Sequence, residues 1–323
     1  MLGLDAREPP LSLEESSKST PQSAERTAVN TSKTSTAPVI FSPAVDFPDL
    51  VFGLAGPIGV DLEYIQQAIA DALKSFGYET ELIHLTKLMD DLKPGAVNEN
   101  LNVIEGYEQK IEAANILRRD FKAKDIMAAL AISAIVRLRD QDRQRLNRKD
   151  EPPRIAWIVR QLKTPEEVTL LRSVYGRQFV QVSIYGAPQK REDFLVAKIK
   201  IRSRGTINDK TAKEGAKKLI ERDSKEDDDF GQNMTNTFPM GDVFVDSNDK
   251  ETVNSAIERF MSALFGSNEI SPTRDEYAMY LAKSASLRSC DLSRQVGAAI
   301  ISKSGEIISL GASRWWRNVL DRR

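Results

Sequence analysis

The feature that most constrains the fold of this 323-residue chain is a short apolar run that ends in glycine. Residues 50–56 read LVFGLAG, a composition typical of a strand that is buried on both faces of a parallel sheet. A helix is predicted from about Asp61 to Phe76, because its apolar residues recur at three- and four-residue spacing. Gly77 ends that helix, and a second strand is predicted over 80–85. This order of elements is that of a βαβ unit.

The same alternation continues and predicts one α/β domain over residues 47–268. A capping box opens one helix, since Thr164 is followed by Pro165 in the first turn and by Glu167. Other predicted elements are two helices between about 103 and 148, strands at 154–159, 179–185 and 242–246, and a helix at 251–265. This pattern favours a three-layer α/β fold with a mostly parallel sheet. The acidic run 221–229 is expected to be a solvated loop rather than a metal site, because like charges repel.

Composition and charge exclude several classes of protein. The chain carries 46 basic and 47 acidic residues, so its net charge of −1 gives no field that attracts nucleic acid or an anionic membrane. Its one cysteine excludes an intramolecular disulfide, and no apolar run reaches the roughly 18 residues of a membrane span. We therefore expect a cytoplasmic protein that does not contact a membrane. Residues 1–46 are rich in Ser, Thr, Pro and Glu, and are expected to form a disordered tail.

A glycine-rich loop lies between the first strand and the first helix, where backbone N–H groups can hold a phosphate. The candidate phosphate-binding residues are Gly53, Gly56, Gly59 and Asp61, and Asp61 is also a candidate helix N-cap. The pattern is degenerate, because a Walker loop has Lys and then Ser or Thr after its last glycine, whereas this chain has Val60 and Asp61. The segment resembles the first βαβ unit of P-loop nucleotide kinases. Three interpretations stay open: a tight turn only, residual nucleotide binding, or phosphoryl transfer.

A second pattern occupies residues 269–311. Thr273 and Glu276 form a capping box that opens a helix. Two strands are predicted after it, at 296–301 and 307–310, and a turn joins them into a hairpin. This segment is near the ~40-residue size below which a domain usually needs a metal, disulfides or a partner. We therefore expect it to dock on the preceding domain.

Residues 288–301, RSCDLSRQVGAAII, followed by GEIISLG, are similar to the opening of deoxycytidylate deaminases. Together with the degenerate loop and the segment 161–168, QLKTPEEV, they resemble the two-domain deoxycytidine nucleotide deaminases of bacterial anti-phage defence. The resemblance implies a P-loop kinase-like domain followed by a cytidine deaminase-like domain. It implies Zn²⁺-dependent hydrolytic deamination of dCMP or dCTP, and a regulatory RNA or protein partner in full-length members. It places four residues at the nucleotide pocket: Ser289, Arg294, Gln295 and Val296.

The residues that hold the zinc in such enzymes are missing from this chain. A zinc deaminase needs a His or Cys ligand beside a proton-shuttling Glu, in H-x-E, and two cysteines in P-C-x-x-C. This chain has one histidine, His84, and one cysteine, Cys290, so we assign no catalytic or metal-binding residue. His84 is expected to be a partly buried strand residue, and Cys290 a packed thiol rather than a nucleophile. The chain is therefore expected to be inactive as a deaminase.

The deaminase-like pattern stops after Gly311, and residues 312–323 form a divergent tail rich in Trp and Arg. A frameshift or premature stop in the parent gene is one explanation, and a natural basic amphipathic terminus used for docking is the other. Two functions remain as alternatives to deaminase ancestry. One is a nucleotide-binding regulatory module with a P-loop kinase-like fold, and the other is an interaction or oligomerisation module in a homo-oligomer.

Overall fold

The computed structural model describes residues 49–96, 98, 101–146, 154–204, 206–224, 226, 228–291 and 294–313. The tail predicted over 1–46 lies outside these residues, as does all but the start of the segment 312–323. The strands are β1 (Leu50–Ala55), β2 (Glu79–His84), β3 (Ile155–Arg160), β4 (Phe179–Tyr185), β5 (Val243–Asp246), β6 (Gly297–Ile301) and β7 (Ile307–Ala312). The helices are α1 (Leu62–Lys74), α2 (Leu85–Leu92), α3 (Val103–Phe121), α4 (Ile126–Leu146), α5 (Pro165–Tyr175), α6 (Pro188–Arg202), α7 (Asp209–Ser224), α8 (Met234–Thr237), α9 (Lys250–Leu264) and α10 (Arg274–Ser286).

A five-stranded sheet forms the centre of the fold, and all its neighbouring strands are parallel. The strand order is β2-β3-β1-β4-β5, so β1 lies between β3 and β4. The chain leaves β1 towards one edge of the sheet and leaves β4 towards the other. The carboxyl ends of β1 and β4 therefore form a topological switch point, which is where open α/β sheets bind ligands.

Helices cover both faces of this sheet. On one face α1 and α9 pack against Phe52 of β1 and Ile158 of β3. On the other face α2, α3, α4 and α5 pack around Trp157 and Val51. Successive residues of β1 thus enter opposite cores, which explains why the run is apolar throughout. The predicted three-layer α/β fold with a mostly parallel sheet is confirmed.

Four helices were not predicted from the sequence, namely α2, α6, α7 and α8. Charged residues make up about half of α6 and α7, but apolar residues of both helices pack with α3 and Ile58 in a separate hydrophobic cluster. Helix α7 extends to Ser224, so the acidic run 221–229 begins inside a helix. The prediction that this run is a solvated loop is wrong for Asp223, which is fully buried against a lysine.

The last described segment is a helix packed on an antiparallel hairpin. Thr273 caps α10, and its capping box with Glu276 is formed as predicted. The strands β6 and β7 pair antiparallel. A Cβ on Gly297 would collide with the backbone of Ala282 and Ser286, so the close packing of helix on hairpin requires glycine there.

An ion pair joins this segment to the α/β domain. Arg259 of α9 donates from Nη1 and Nη2 to the two carboxylate oxygens of Glu276, both at 2.8 Å. The prediction that the segment is held by docking on the preceding domain stays a prediction. No helix in the described part of the chain is long and apolar enough to cross a membrane.

Candidate functional site

The loop that contained the predicted phosphate-binding residues joins β1 to α1 at the switch point of the sheet. Gly59 has φ +94°, and a Cβ there would lie 2.7 Å from the backbone oxygen of Arg191 in α6. A side chain at position 59 would therefore meet both backbone strain and a collision. Asp61 is the N-cap of α1, and its carboxylate accepts a hydrogen bond from the Tyr64 amide at 3.1 Å. The N-cap interpretation of Asp61 is confirmed.

Gly53 lies within β1 rather than in the loop. A Cβ on Gly53 would be 2.6 Å from Leu162 Cδ1 and 2.8 Å from Phe179 Cε2, so strand packing accounts for this glycine. The structure therefore brings three of the four predicted phosphate-binding residues to the loop: Gly56, Gly59 and Asp61.

A buried ion pair fills the inner side of this loop. The Ile58 amide donates to Asp223 Oδ2 at 2.6 Å, and Lys163 Nζ donates to Asp223 Oδ1 at 2.6 Å. Lys163 Nζ also donates to the Gly56 carbonyl at 2.9 Å. Asp223 is 0% exposed and Lys163 is 7% exposed. A carboxylate of the chain itself thus occupies the position that a phosphate oxygen would need at the Ile58 N–H.

Arg191 covers the other side of the loop. Its Nε donates to the Ile58 carbonyl at 2.8 Å. Burial lowers the pKa of Arg191, and the negative charge of Asp223 opposes that effect. The Nη2 of Arg191 is buried and has no hydrogen-bond partner among the described residues. Two positive charges, on Lys163 and Arg191, therefore lie near a single carboxylate.

The segment 161–168, which contributes to the family resemblance, lies directly beneath the loop. Gln161 Nε2 donates to the Gly56 carbonyl at 3.1 Å. The Glu167 carboxylate accepts from the Lys163 amide at 2.7 Å and from Arg118 Nη2 at 2.7 Å. The Arg118 and Glu167 side chains are only 2% and 1% exposed. This second buried ion pair fixes the backbone that carries Lys163.

The arrangement does not present a phosphate site to solvent. Gly56, Ile58, Gly59 and Val60 are all buried. A nucleotide phosphate could reach the Ile58 N–H only after Asp223 has moved. Lys163 could not replace the missing Walker lysine while its charge is paired with Asp223. The described conformation therefore argues against phosphoryl transfer at this loop.

The predicted deaminase pocket residues lie where β6 and β7 approach the end of α10. Ser289 Oγ lies 2.6 Å from Ser313 Oγ, which also accepts from the Val296 amide at 3.3 Å and lies 3.3 Å from the Arg294 carbonyl. Ser289 is buried, whereas Arg294 and Gln295 are exposed. Ser313 thus joins three of the four predicted residues, and sequence reasoning missed it because it follows the point where the family pattern stops.

The residues present do not fit the zinc ion that the deaminase resemblance implies. The described part of the chain contains no group of three His, Cys, Asp or Glu side chains that could hold a metal ion. His84 lies on the edge strand β2, whereas Cys290 follows α10. His84 is half-buried as expected, and burial lowers its pKa, with further lowering by Arg160 and Lys87. Cys290 is exposed, so the prediction of a packed thiol is wrong.

Comparisons with known proteins add little. No family profile matches the sequence, and no curated protein matches it. Among solved structures, an uncharacterised protein from Eubacterium ventriosum ATCC 27560 is 13% identical with a TM-score of 0.33, covering 67% of this chain and 99% of its own. A gluconokinase from Sinorhizobium meliloti 1021 is 13% identical with a TM-score of 0.32, covering 69% of this chain and 99% of its own. At TM-scores this low, neither likeness carries an argument about function.

Proposed function

We propose that this chain belongs by ancestry to the two-domain deoxycytidine nucleotide deaminases, and that it binds a deoxycytidine nucleotide without deaminating it. The observation that carries this proposal is that Ser313 Oγ contacts the Ser289 hydroxyl and the backbone of Arg294 and Val296, which fixes the segment that carries the exposed Arg294 and Gln295 side chains. A guanidinium and a side-chain amide are suited to a phosphate and to the polar edge of a base, respectively.

The absence of turnover follows from the chemistry of the side chains. Hydrolytic deamination at C4 of cytosine needs a metal-activated water and a carboxylate that transfers protons. With one histidine and one cysteine, the chain cannot supply the three His or Cys ligands of a deaminase zinc site. The proposed role is therefore nucleotide binding, and any contribution to nucleotide depletion in anti-phage defence would require another chain.

The proposal is tested on the full chain with dCMP and dCTP. We expect no dUMP or dUTP by chromatography and no stoichiometric zinc by elemental analysis, together with saturable dCMP binding by calorimetry. Arg294→Ala should weaken that binding, whereas Arg288→Ala, which removes an exposed arginine six residues earlier, should not. Turnover with bound zinc would contradict the inactivity. If the wild type and Arg294→Ala bind dCMP with equal affinity, Arg294 is not part of the nucleotide pocket.

A second candidate function, an oligomerisation module, is favoured by apolar side chains exposed on α10 and the hairpin. Met279 is 70% exposed, Tyr280 66% and Ile308 66%. Apolar surface of this kind is typical of association sites. Light scattering tests this candidate: Ile308→Asp should lower the mass of an oligomer, and Lys303→Asp, an exposed position in the same hairpin, should leave it unchanged. A monomeric wild type at all concentrations would exclude it.

A further inference from the structure

The environment of Asp223 is unusual for a carboxylate in an acidic run. It is fully buried, its Oδ2 accepts from the Ile58 amide, and its Oδ1 accepts from Lys163, both at 2.6 Å. A backbone N–H and a lysine at the carboxyl end of a central parallel strand are the donors with which α/β folds hold a phosphate. The carboxylate has therefore taken the position and the partners of a bound anion.

The charges around this carboxylate are not balanced. Lys163 and Arg191 are both cationic and both hydrogen-bond to carbonyls of the loop, at Gly56 and Ile58. Asp223 supplies one negative charge. Arg191 Nη2 stays buried without a hydrogen-bond partner among the described residues. A phosphate group carries more negative charge and more acceptor oxygens than a carboxylate, so it would satisfy these donors more fully.

The helix N-terminus is not the source of this anion preference. Asp61 already caps α1 through the Tyr64 amide, and its negative charge is exposed at the outer side of the loop. The donors to Asp223 come instead from the loop backbone and from Lys163, which follows β3, while Arg191 of α6 donates to the carbonyl of Ile58 in the same loop. The site is thus built from three separate parts of the fold.

We propose that the loop from Gly56 to Asp61 is an anion site for a phosphate group, and that the Asp223 carboxylate is its internal occupant. In the wild type the occupant keeps the loop closed and excludes phosphate. Removal of the carboxylate leaves Lys163, Arg191 and the Ile58 N–H able to bind an external anion. This inference concerns the α/β domain, and it stands or falls independently of the deaminase ancestry proposed above.

The test is a chemical rescue of Asp223→Ala, which removes a group of the size of formate. The thermal unfolding temperature is measured at increasing concentrations of sodium formate or inorganic phosphate, at constant ionic strength. The wild type and Asp229→Ala serve as references. Asp229→Ala removes one negative charge from an exposed position in the same run. We expect formate and phosphate to raise the unfolding temperature of Asp223→Ala in a saturable way. The concentrations needed should be about tenfold or more lower than those that affect the wild type or Asp229→Ala.

A second variant covers the case in which Asp223→Ala does not fold by itself. Asp223→Ser keeps a hydroxyl that can accept from the Ile58 amide, and it still lacks the carboxylate. Folding or stabilisation of either variant by formate or phosphate supports the internal-occupant proposal. The proposal is overturned if both variants depend on anions no more than the wild type does, or if both stay unfolded at every anion concentration.

Discussion

Lys163→Met is predicted to be among the most destabilising single substitutions in the α/β domain. The change removes the 2.6 Å bond from Lys163 Nζ to Asp223 and the 2.9 Å bond to the Gly56 carbonyl. Methionine matches the length of lysine and leaves little cavity. The dominant loss is electrostatic, because the fully buried Asp223 then keeps only the Ile58 N–H as a hydrogen-bond donor among the described residues.

Breaking one partner of a buried ion pair costs about 3–5 kcal/mol. With a urea m-value of about 2–3 kcal/mol/M for a domain of this size, the unfolding midpoint should fall by roughly 1–2.5 M. Lys74→Met is the matched control. Lys74 forms an ion pair of nearly the same length, 2.7 Å to Asp71, but with side chains 64% and 56% exposed. Solvent screens such a pair, so the control should shift the midpoint little.

Equilibrium urea unfolding, followed by circular dichroism and by tryptophan fluorescence, to which the buried Trp157 contributes, measures both shifts. The double variant Lys163→Met with Asp223→Asn should lose less stability than the sum of the single changes, because no charge is then left unpaired. A midpoint for Lys163→Met that coincides with that of Lys74→Met would show that the buried Lys163–Asp223 pair stabilises the fold no more than an exposed pair does.

Three further predictions concern local features. Gly59→Ala should lower the thermal midpoint more than Gly95→Ala, since both have positive φ, which costs about 1–2 kcal/mol for alanine, but only the Cβ at 59 collides with a neighbour. The pKa of Glu276 is lowered chiefly by Arg259, so its stabilisation of α10 is present above the ordinary glutamate value and is lost as the pH falls through the lower folded-state pKa. Amide hydrogen exchange in α10, measured at several pH values, checks this prediction. In Glu276→Gln the stability of α10 should no longer depend on pH in this range. Burial and the positive charge of Arg160 lower the pKa of His84, the one histidine of the chain. An NMR titration of its imidazole should therefore give a pKa below the ordinary histidine value, and Arg160→Met should raise that pKa.

Much of the fold followed from local pattern. The run at 50–56, the capping boxes at Thr164 and Thr273 and the hairpin after 296 each carry their signal within a few neighbouring residues. The helices α6 and α7 carried a weaker signal, because much of their surface is charged. Their buried apolar residues do recur at three- and four-residue spacing, as in Ala212, Ala216 and Leu219 of α7, but they are few and pack on a small cluster with α3.

The candidate site was less predictable because its partners come from distant parts of the chain. Lys163 and Asp223 are 60 residues apart, and Ile58 and Asp223 are 165 apart. Within a run of acids, Asp223 has no local mark that distinguishes it from the exposed Asp229. Lys163 did have a signal, since a lysine that follows a buried strand at the carboxyl edge of a parallel sheet lies near the ligand site.

Closure of the Gly56–Asp61 loop by Asp223 can be observed at the Ile58 amide, which donates to the Asp223 carboxylate. In protein labelled with ¹⁵N-isoleucine, that amide should exchange slowly with solvent, because it is buried and bonded to Asp223. Its resonance should also stay unchanged when millimolar inorganic pyrophosphate is added to the wild type. Fast exchange of the Ile58 amide, or a saturable shift of its resonance with pyrophosphate, would show that the loop is open to phosphate and that Asp223 does not close it.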